Sequence, residues 1–135
     1  MIHGVLIVNS CGGLIYDEII PSAFSGDLNI DRVIAMASTI YTAMEILSSH
    51  GITQRAGKYT KMYLRYEKAS LTAMKTQTGM IFVIIHDTAD TAASILKYVE
   101  NAHVSFVSSI LHNPEYYVDD RISIKFLHLE NARRN

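Results

Sequence analysis

The sequence predicts an α+β fold in the order ββ-α-βββ-α, built on a five-stranded antiparallel sheet. Three patterns carry this reading. Two short runs, Val5-Leu6-Ile7-Val8 and Ile81-Phe82-Val83-Ile84-Ile85, are apolar at consecutive positions, so both of their faces need cover and they belong at the sheet centre. Between them, from Ile30, apolar residues recur at helical spacing. Strict alternation then returns around Met62, Leu64 and Tyr66, with Lys61, Tyr63, Arg65 and Glu67 facing the other way.

In chain order, residues 3–8 read as a strand and Asn9-Ser10-Cys11-Gly12-Gly13 as a turn whose two glycines take positive φ. Residues 13–19 form the return strand, and residues 21–29 a loop. The first helix carries a core stripe of Ile30, Val33, Ile34, Ala37, Ile40, Tyr41, Met44, Leu47 and Ser48. Asn29 suits its N-cap, Asp31 its first turn and Gly51 its end. Residues 61–67, 70–76 and 80–86 form a three-stranded meander. Its first, charge-bearing strand is expected at a sheet edge, where lysine discourages aggregation. A second helix runs from about Asp90, with Ile95, Leu96, Val99, Phe106, Val107 and Ile110 inward, and stops at Asn113-Pro114. Residues 122–129 fit either a strand, through Ile122, Ile124 and Phe126, or a short helix. Patterning alone places a helix on each side of the sheet.

At 135 residues and 15.1 kDa the chain is sized for one domain, residues 1–135, with no repeat or linker dividing it. Charged residues make up only 19%, against about 25% in a typical soluble domain. With mean hydropathy at +0.14, part of the folded surface is expected to face something other than water. Net charge is −1, which leaves no bulk basic field for a nucleic-acid backbone. The single cysteine, Cys11, excludes a disulfide framework. No apolar run approaches the roughly 20 residues of a membrane span, and no signal-peptide pattern opens the chain, so a cytosolic protein is expected.

Catalytic patterns are missing. The six histidines show neither H-x-x-x-H nor H-E-x-x-H spacing, so no metal site is expected. Cys11 has no sequence neighbour to act as its base. Gly12-Gly13 lacks the G-K-[ST] ending of a phosphate loop, and G-x-S-x-G does not occur. Asp17-Glu18 and Asp119-Asp120 sit at element ends, as solvated turn residues do. Asn113-Pro114-Glu115-Tyr116 has the N-P-x-Y spelling of a sorting signal, but directly after a helix it reads as a terminator. No enzyme site and no cofactor are expected.

The informative feature is the back of the first helix: Ala35, Ser38, Thr39, Thr42, Ala43, Ile46 and Ser49. A solvated helix back is rich in Lys and Glu. Here Asp31, Arg32 and Glu45 are the only charges over residues 30–50. The second helix presents Ser94, Tyr98, Asn101, Ser105 and Ser108 in the same way. Small neutral backs allow another element to approach closely, which points to an interaction module.

Val8-Asn9-Ser10-Cys11-Gly12-Gly13-Leu14-Ile15-Tyr16 resembles the V-N-x-x-G-G-L-I-Y opening of the synbindin family, subunits of the TRAPP vesicle-tethering complex. Thr76-Gln77-Thr78-Gly79-Met80-Ile81-Phe82-Val83 resembles that family's T-x-T-G-x-x-F-V turn and strand. Asn113-Pro114-Glu115-Tyr116 resembles the N-P-x-Y after its long helix, and the resemblance covers nearly the whole chain in order. It implies a longin-like (SNARE-like) fold, with one helix on one face of the sheet and two on the other, and turns the tail toward a third helix. It further implies a subunit acting in ER-to-Golgi transport beside Bet5-type and Bet3-type partners, on a platform that promotes nucleotide exchange on a Rab GTPase. The expected location is cytoplasmic, peripheral at ER and cis-Golgi membranes through the complex. The short 21–29 loop leaves no room for the PDZ-like insertion of some synbindins, and Ser10-Cys11 departs from the family's usual turn. Carried onto this chain, the family's paired architecture points to Ala35, Ser38, Thr39, Thr42 and Ile46 on the helix, with Tyr63 and Arg65 on the edge strand. The alternatives are a Bet5-type subunit, a small adaptor-coat subunit of the same fold, and a profilin-like small-molecule-binding domain.

Overall fold

The computed structural model describes residues 2–20, 30–65, 70–115, 121–122 and 126–127, with backbone only for residues 30 and 31. Two strands, β1 (Ile2–Val8) and β2 (Leu14–Ile19), precede a helix, α1 (Ile30–Ser49). Four strands follow, β3 (Gln54–Ala56), β4 (Tyr59–Arg65), β5 (Ser70–Lys75) and β6 (Ile81–His86). Helix α2 (Ala92–Phe106) continues into one π-helical turn, Val107–Leu111.

The strands form one sheet in the order β2-β1-β6-β5-β4-β3, with every neighbouring pair antiparallel. The two strands expected at the centre are there, paired from Ile2↔His86 to Val8↔Ile81. The sheet has six strands rather than five. The stretch around Gly57, expected as a loop, is a tight hairpin: Gly57 takes φ +59° and Gln54, Arg55 and Ala56 pair with Lys61, Thr60 and Tyr59. β4 is therefore second from the edge along its first half and outermost only along residues 62–65. At the opposite side, the Ile122 N–H donates to the Ile15 carbonyl at 2.7 Å, and the Arg121 guanidinium pairs with Asp17. That edge is met at Leu14, Ile15 and Asp17. Of the expected third helix, residues 122, 126 and 127 are described and are not helical, and the rest lies outside the described residues; Phe126 packs on Tyr16 with ring centroids 4.8 Å apart.

Alternation along β1 and β6 feeds two separate cores. Val5, Ile7, Phe82 and Ile84 join Tyr16, Tyr59 and Met74 beneath α2, through Ile95, Val99, Ala102 and Phe106. Leu6, Val8, Ile81, Val83 and Ile85 lie beneath α1 with Val33, Ala37, Ile40 and Met44. A one-residue slip of either strand would exchange its two faces, so the register is held from both sides at once. The α1 seam is rotated from the expected stripe: Met36, and Ala43 from the expected outer face, are half-buried against this core. Ile34, one residue and about 100° from Val33, is 44% exposed, and Ser48 lies beyond the sheet and is exposed too. On α2, Tyr98 was expected to face outward but is half-buried against the core, with its hydroxyl buried. Burial, then the nearby Glu18 carboxylate, pushes the Tyr98 phenol up to about 12.

The glycine motifs lock one end of the sheet. Asn9 Oδ1 accepts from the Cys11 N–H at 3.0 Å and the Gly13 N–H at 2.8 Å, closing the first hairpin. Of the two glycines only Gly12 has positive φ, at +90°. A Cβ there would lie 2.9 Å from the Tyr41 ring, whose hydroxyl donates to the Ser10 carbonyl at 3.1 Å. In the β5–β6 hairpin, Gly79 takes φ +94°, and a Cβ on it would stand 3.1 Å from the Ser10 Cβ. The two hairpins therefore touch each other, and the first is clamped to α1. At the far end of the second helical run, Asn113 Oδ1 accepts the Glu115 N–H at 3.0 Å, and Pro114 follows the helix as expected.

Two outcomes follow. Gly12→Ala should cost about 1–2 kcal/mol in urea denaturation, from the forbidden φ and the Tyr41 clash together. His103 lies between Phe82 and Tyr59, shares a 3.1 Å hydrogen bond with the Tyr59 hydroxyl, and is held below the ordinary histidine range by burial and then by Lys58. The unfolded chain thus takes up this proton more readily, and the contribution of the site to stability falls as pH drops below the ordinary histidine value of about 6.5. His103→Gln should flatten the loss of melting temperature between pH 7 and pH 5; an unchanged slope contradicts the assignment.

Candidate partner interface

The outer face of α1 is exposed and nearly free of charge. Ala35, Ser38, Thr39, Thr42 and Ile46 are all exposed, as the helical phase requires. The two threonine hydroxyls do not face water freely. Thr39 Oγ1 donates to the Ala35 carbonyl at 2.9 Å and Thr42 Oγ1 to the Ser38 carbonyl at 3.0 Å, and Ser49 Oγ bonds the Ile46 carbonyl at 2.9 Å. This back-bonding turns polar groups into the helix and leaves methyl groups outward. Ile46, 54% exposed, and Ile34 complete an apolar strip. Glu45, the only charge over residues 33–49, is tied to Lys75 Nζ at 2.9 Å.

The strip runs on toward the sheet edge. Beyond the C-terminus of α1, a groove of about 410 Å³ is lined by Leu47, Ile52, Gln54, Lys61, Met62 and Tyr63. Ile52 is 62% exposed beside it, and Leu64 borders the same side of the sheet. Sequence reading missed Ile34 and Ile52. The first falls on the stripe that helical spacing assigns to the core, and the second follows Gly51 in what reads as a loop.

Tyr63 and Arg65 sit on β4 as expected and are exposed, but their side chains lie on the α2 side of the sheet. Tyr59, at the same parity, belongs to the α2-side core and Met62 to the α1-side core. The Tyr63 hydroxyl bonds Ser70 Oγ at 2.8 Å, and its ring lies 6.3 Å from His86. α1 and this pair therefore meet at the β4 edge, through the groove, rather than on one flat face.

Behind Tyr63 a crevice of about 50 Å³ reaches Thr72, His86 and Asp90. His86 is buried and engaged at both ring nitrogens: the Asp87 carbonyl accepts from Nδ1–H at 2.8 Å, and in the neutral ring Nε2 accepts from Thr72 Oγ1 at 2.8 Å. Such a histidine ties β5 to β6 and the turn after it. Among the described residues no group of three or more His, Cys, Asp or Glu is placed to hold a metal ion, and no helix is long and apolar enough to cross a membrane. Cys11 is exposed on the hairpin turn.

The architecture is similar to Myxococcus xanthus MglB, with a TM-score of 0.53 at 15% identity over 75% of this chain and 76% of that one. It is similar also to a Roadblock/LC7 domain from Streptomyces avermitilis, with a TM-score of 0.53 at 13% identity over 79% and 82% of the two chains. At such identities these likenesses show the fold alone, which is α+β and longin-like, with a strand more than expected. A comparison with curated protein sequences finds no match. A family model, that of the Sybindin-like family, matches residues 2–130, and the chain belongs to that family as a TRAPP-like longin module.

Proposed function

We propose that the chain is a non-catalytic subunit of a TRAPP-like vesicle-tethering complex in ER-to-Golgi transport, held in the cytoplasm and at ER and cis-Golgi membranes through its partners. Bet5-type and Bet3-type subunits would cover its uncharged surface, and the assembly would promote nucleotide exchange on a Rab GTPase. The observation that carries this reading is the outer face of α1, where exposed Ala35, Thr39, Thr42 and Ile46 offer methyl groups and the one charge over residues 33–49 is already paired. Membership of the Sybindin-like family supports the kind of assembly.

No bond need be made or broken by this chain for such a role. An exchange platform acts by binding the nucleotide-free GTPase more tightly than the loaded one, so contacts that differ between the two states do the work. A rigid helix held over a two-sided core is suited to that task, because its outer side chains are preorganised.

Thr42→Glu with Ile46→Glu, both at exposed positions, should change the melting temperature of the isolated chain little, since exposed substitutions fall within about 0.5 kcal/mol. In affinity purification from the native cell the same variant should lose Bet5-like and Bet3-like subunits. Unchanged recovery removes α1 from the interface, and recovery of large coat subunits by the wild type removes the proposed complex.

A further inference from the structure

The β3–β4 hairpin is seated on α2 by a few adjoining contacts. Ala56 packs into the core beneath α2, and a Cβ on Gly57 would stand 3.9 Å from the Leu96 side chain. Next to them the fully buried Tyr59 meets His103 of α2, hydroxyl to Nδ1, at 3.1 Å. Among the described residues this is the only hydrogen bond of the Tyr59 hydroxyl. The same hairpin reaches the candidate interface. Gln54 on β3 and Lys61 on β4 pair across it, and both line the groove with Leu47 and Ile52.

Protonation decides whether the Tyr59–His103 contact holds. Burial, then the Glu100 carboxylate, pushes the Tyr59 phenol up, so its proton stays in place and is the one donated. A neutral His103 presents Nδ1 as an acceptor for it. An imidazolium carries a proton at Nδ1 as well, and two donors then face each other. Turning the hydroxyl to accept leaves its own proton unpaired inside the core, which costs the desolvation of a buried donor.

The surrounding charges favour the neutral ring. Lys58, beside Tyr59 in the hairpin, lies over its ring at 5.6 Å from the centroid and opposes a second cation at His103. Lys61 follows two residues on, at the same side of β4. From β6 the uncharged Phe82 ring faces the imidazole, with centroids 5.4 Å apart. Against these stands Glu100, a turn earlier on α2, exposed and therefore screened by solvent.

We propose that Tyr59 and His103 form a proton-operated catch on the β3–β4 hairpin, which weakens partner binding at the adjoining groove as pH falls. Neutral His103 keeps the hairpin seated on α2 and Gln54 at the rim of the groove. The imidazolium frees the hairpin and spoils that rim. The closed hairpin holds His103 below the ordinary histidine range, through burial and then Lys58, whereas the freed hairpin returns it to about 6.5. Opening therefore becomes more favourable by up to about tenfold for each pH unit below that value. Its consequence for a partner rests on the reading of the chain as an assembly subunit.

Amide hydrogen exchange on the full chain, corrected for the intrinsic pH dependence of exchange, tests the catch. Between about pH 7.5 and about pH 5.5, protection of residues 54–60 should fall roughly tenfold in the wild type, while β1 and β6 keep theirs. His103→Gln, whose side-chain carbonyl accepts the Tyr59 hydroxyl without titrating, should hold that protection at both values. Lys58→Gln, at an exposed position, removes the opposing ammonium and should shrink the wild-type fall. In affinity purification from the native cell at the same two pH values, recovery of partner subunits should fall further for the wild type than for His103→Gln. Equal wild-type protection at both values, or an equal fall in His103→Gln, overturns the catch. A hairpin that opens while wild type and His103→Gln recover partners alike overturns its link to the interface, and the assembly reading stands. Recovery of no partner at about pH 7.5 removes the assembly reading, and the exchange result then decides the catch by itself.

Discussion

Burial of β1 and β6 on both faces is the constraint on which the rest of the molecule depends. Val5, Leu6, Ile7 and Val8 are each fully enclosed, as are Ile81, Phe82, Val83 and Ile84. Consecutive residues of one strand therefore serve two cores, and neither core survives without the other. A helix is required above and below. Because the α1 seam is Val33, Ala37, Ile40 and Met44, flanked by half-buried Met36, Tyr41, Ala43 and Leu47, the opposite face of the helix is left outside the core. The surface available for a partner is a by-product of this geometry. Its chemistry, small side chains with hydroxyls folded back onto the helix, is what the amino-acid choice adds.

The motifs that signal the family do structural work. Asn9 closes the first hairpin, Gly12 admits the Tyr41 ring, and Gly79 admits Ser10 from the neighbouring hairpin. Together they register β1 against β6 and pin α1 to their common end. The candidate contact residues lie elsewhere, on a helix face marked by an absence of charge rather than by any spelling. Family membership and interface are thus read from different residues, and a change at one need not disturb the other.

Much of this was legible from spacing alone. The central strands announce themselves by unbroken apolar runs, and α1 and α2 by their period and their caps. The missing strand β3 could not be read, because Gln54-Arg55-Ala56 carries no alternation and owes its conformation to pairing across Gly57. Ile34 failed as a core residue since the seam is set by the sheet beneath, which the helix cannot see in its own sequence. Tyr98 failed in the opposite sense: its ring reaches the core while its backbone lies at the helix flank. For the candidate site, helical phase placed all five α1 residues outward. The side taken by Tyr63 and Arg65 was present in the parity of β4, but which parity faces which helix emerged only when Met62 was found under α1 and Tyr59 under α2.

The central claim is that the uncharged face of α1 and the adjoining β4 edge are covered by protein in the working assembly. Hydroxyl-radical footprinting of the isolated chain against the same chain in its native complex measures this residue by residue. The account predicts strong protection of Ile34, Ile46, Ile52 and Tyr63 in the complex. Equal oxidation of Ile34 and Ile46 in both states, or protection confined to Val104 and Leu111, would contradict it.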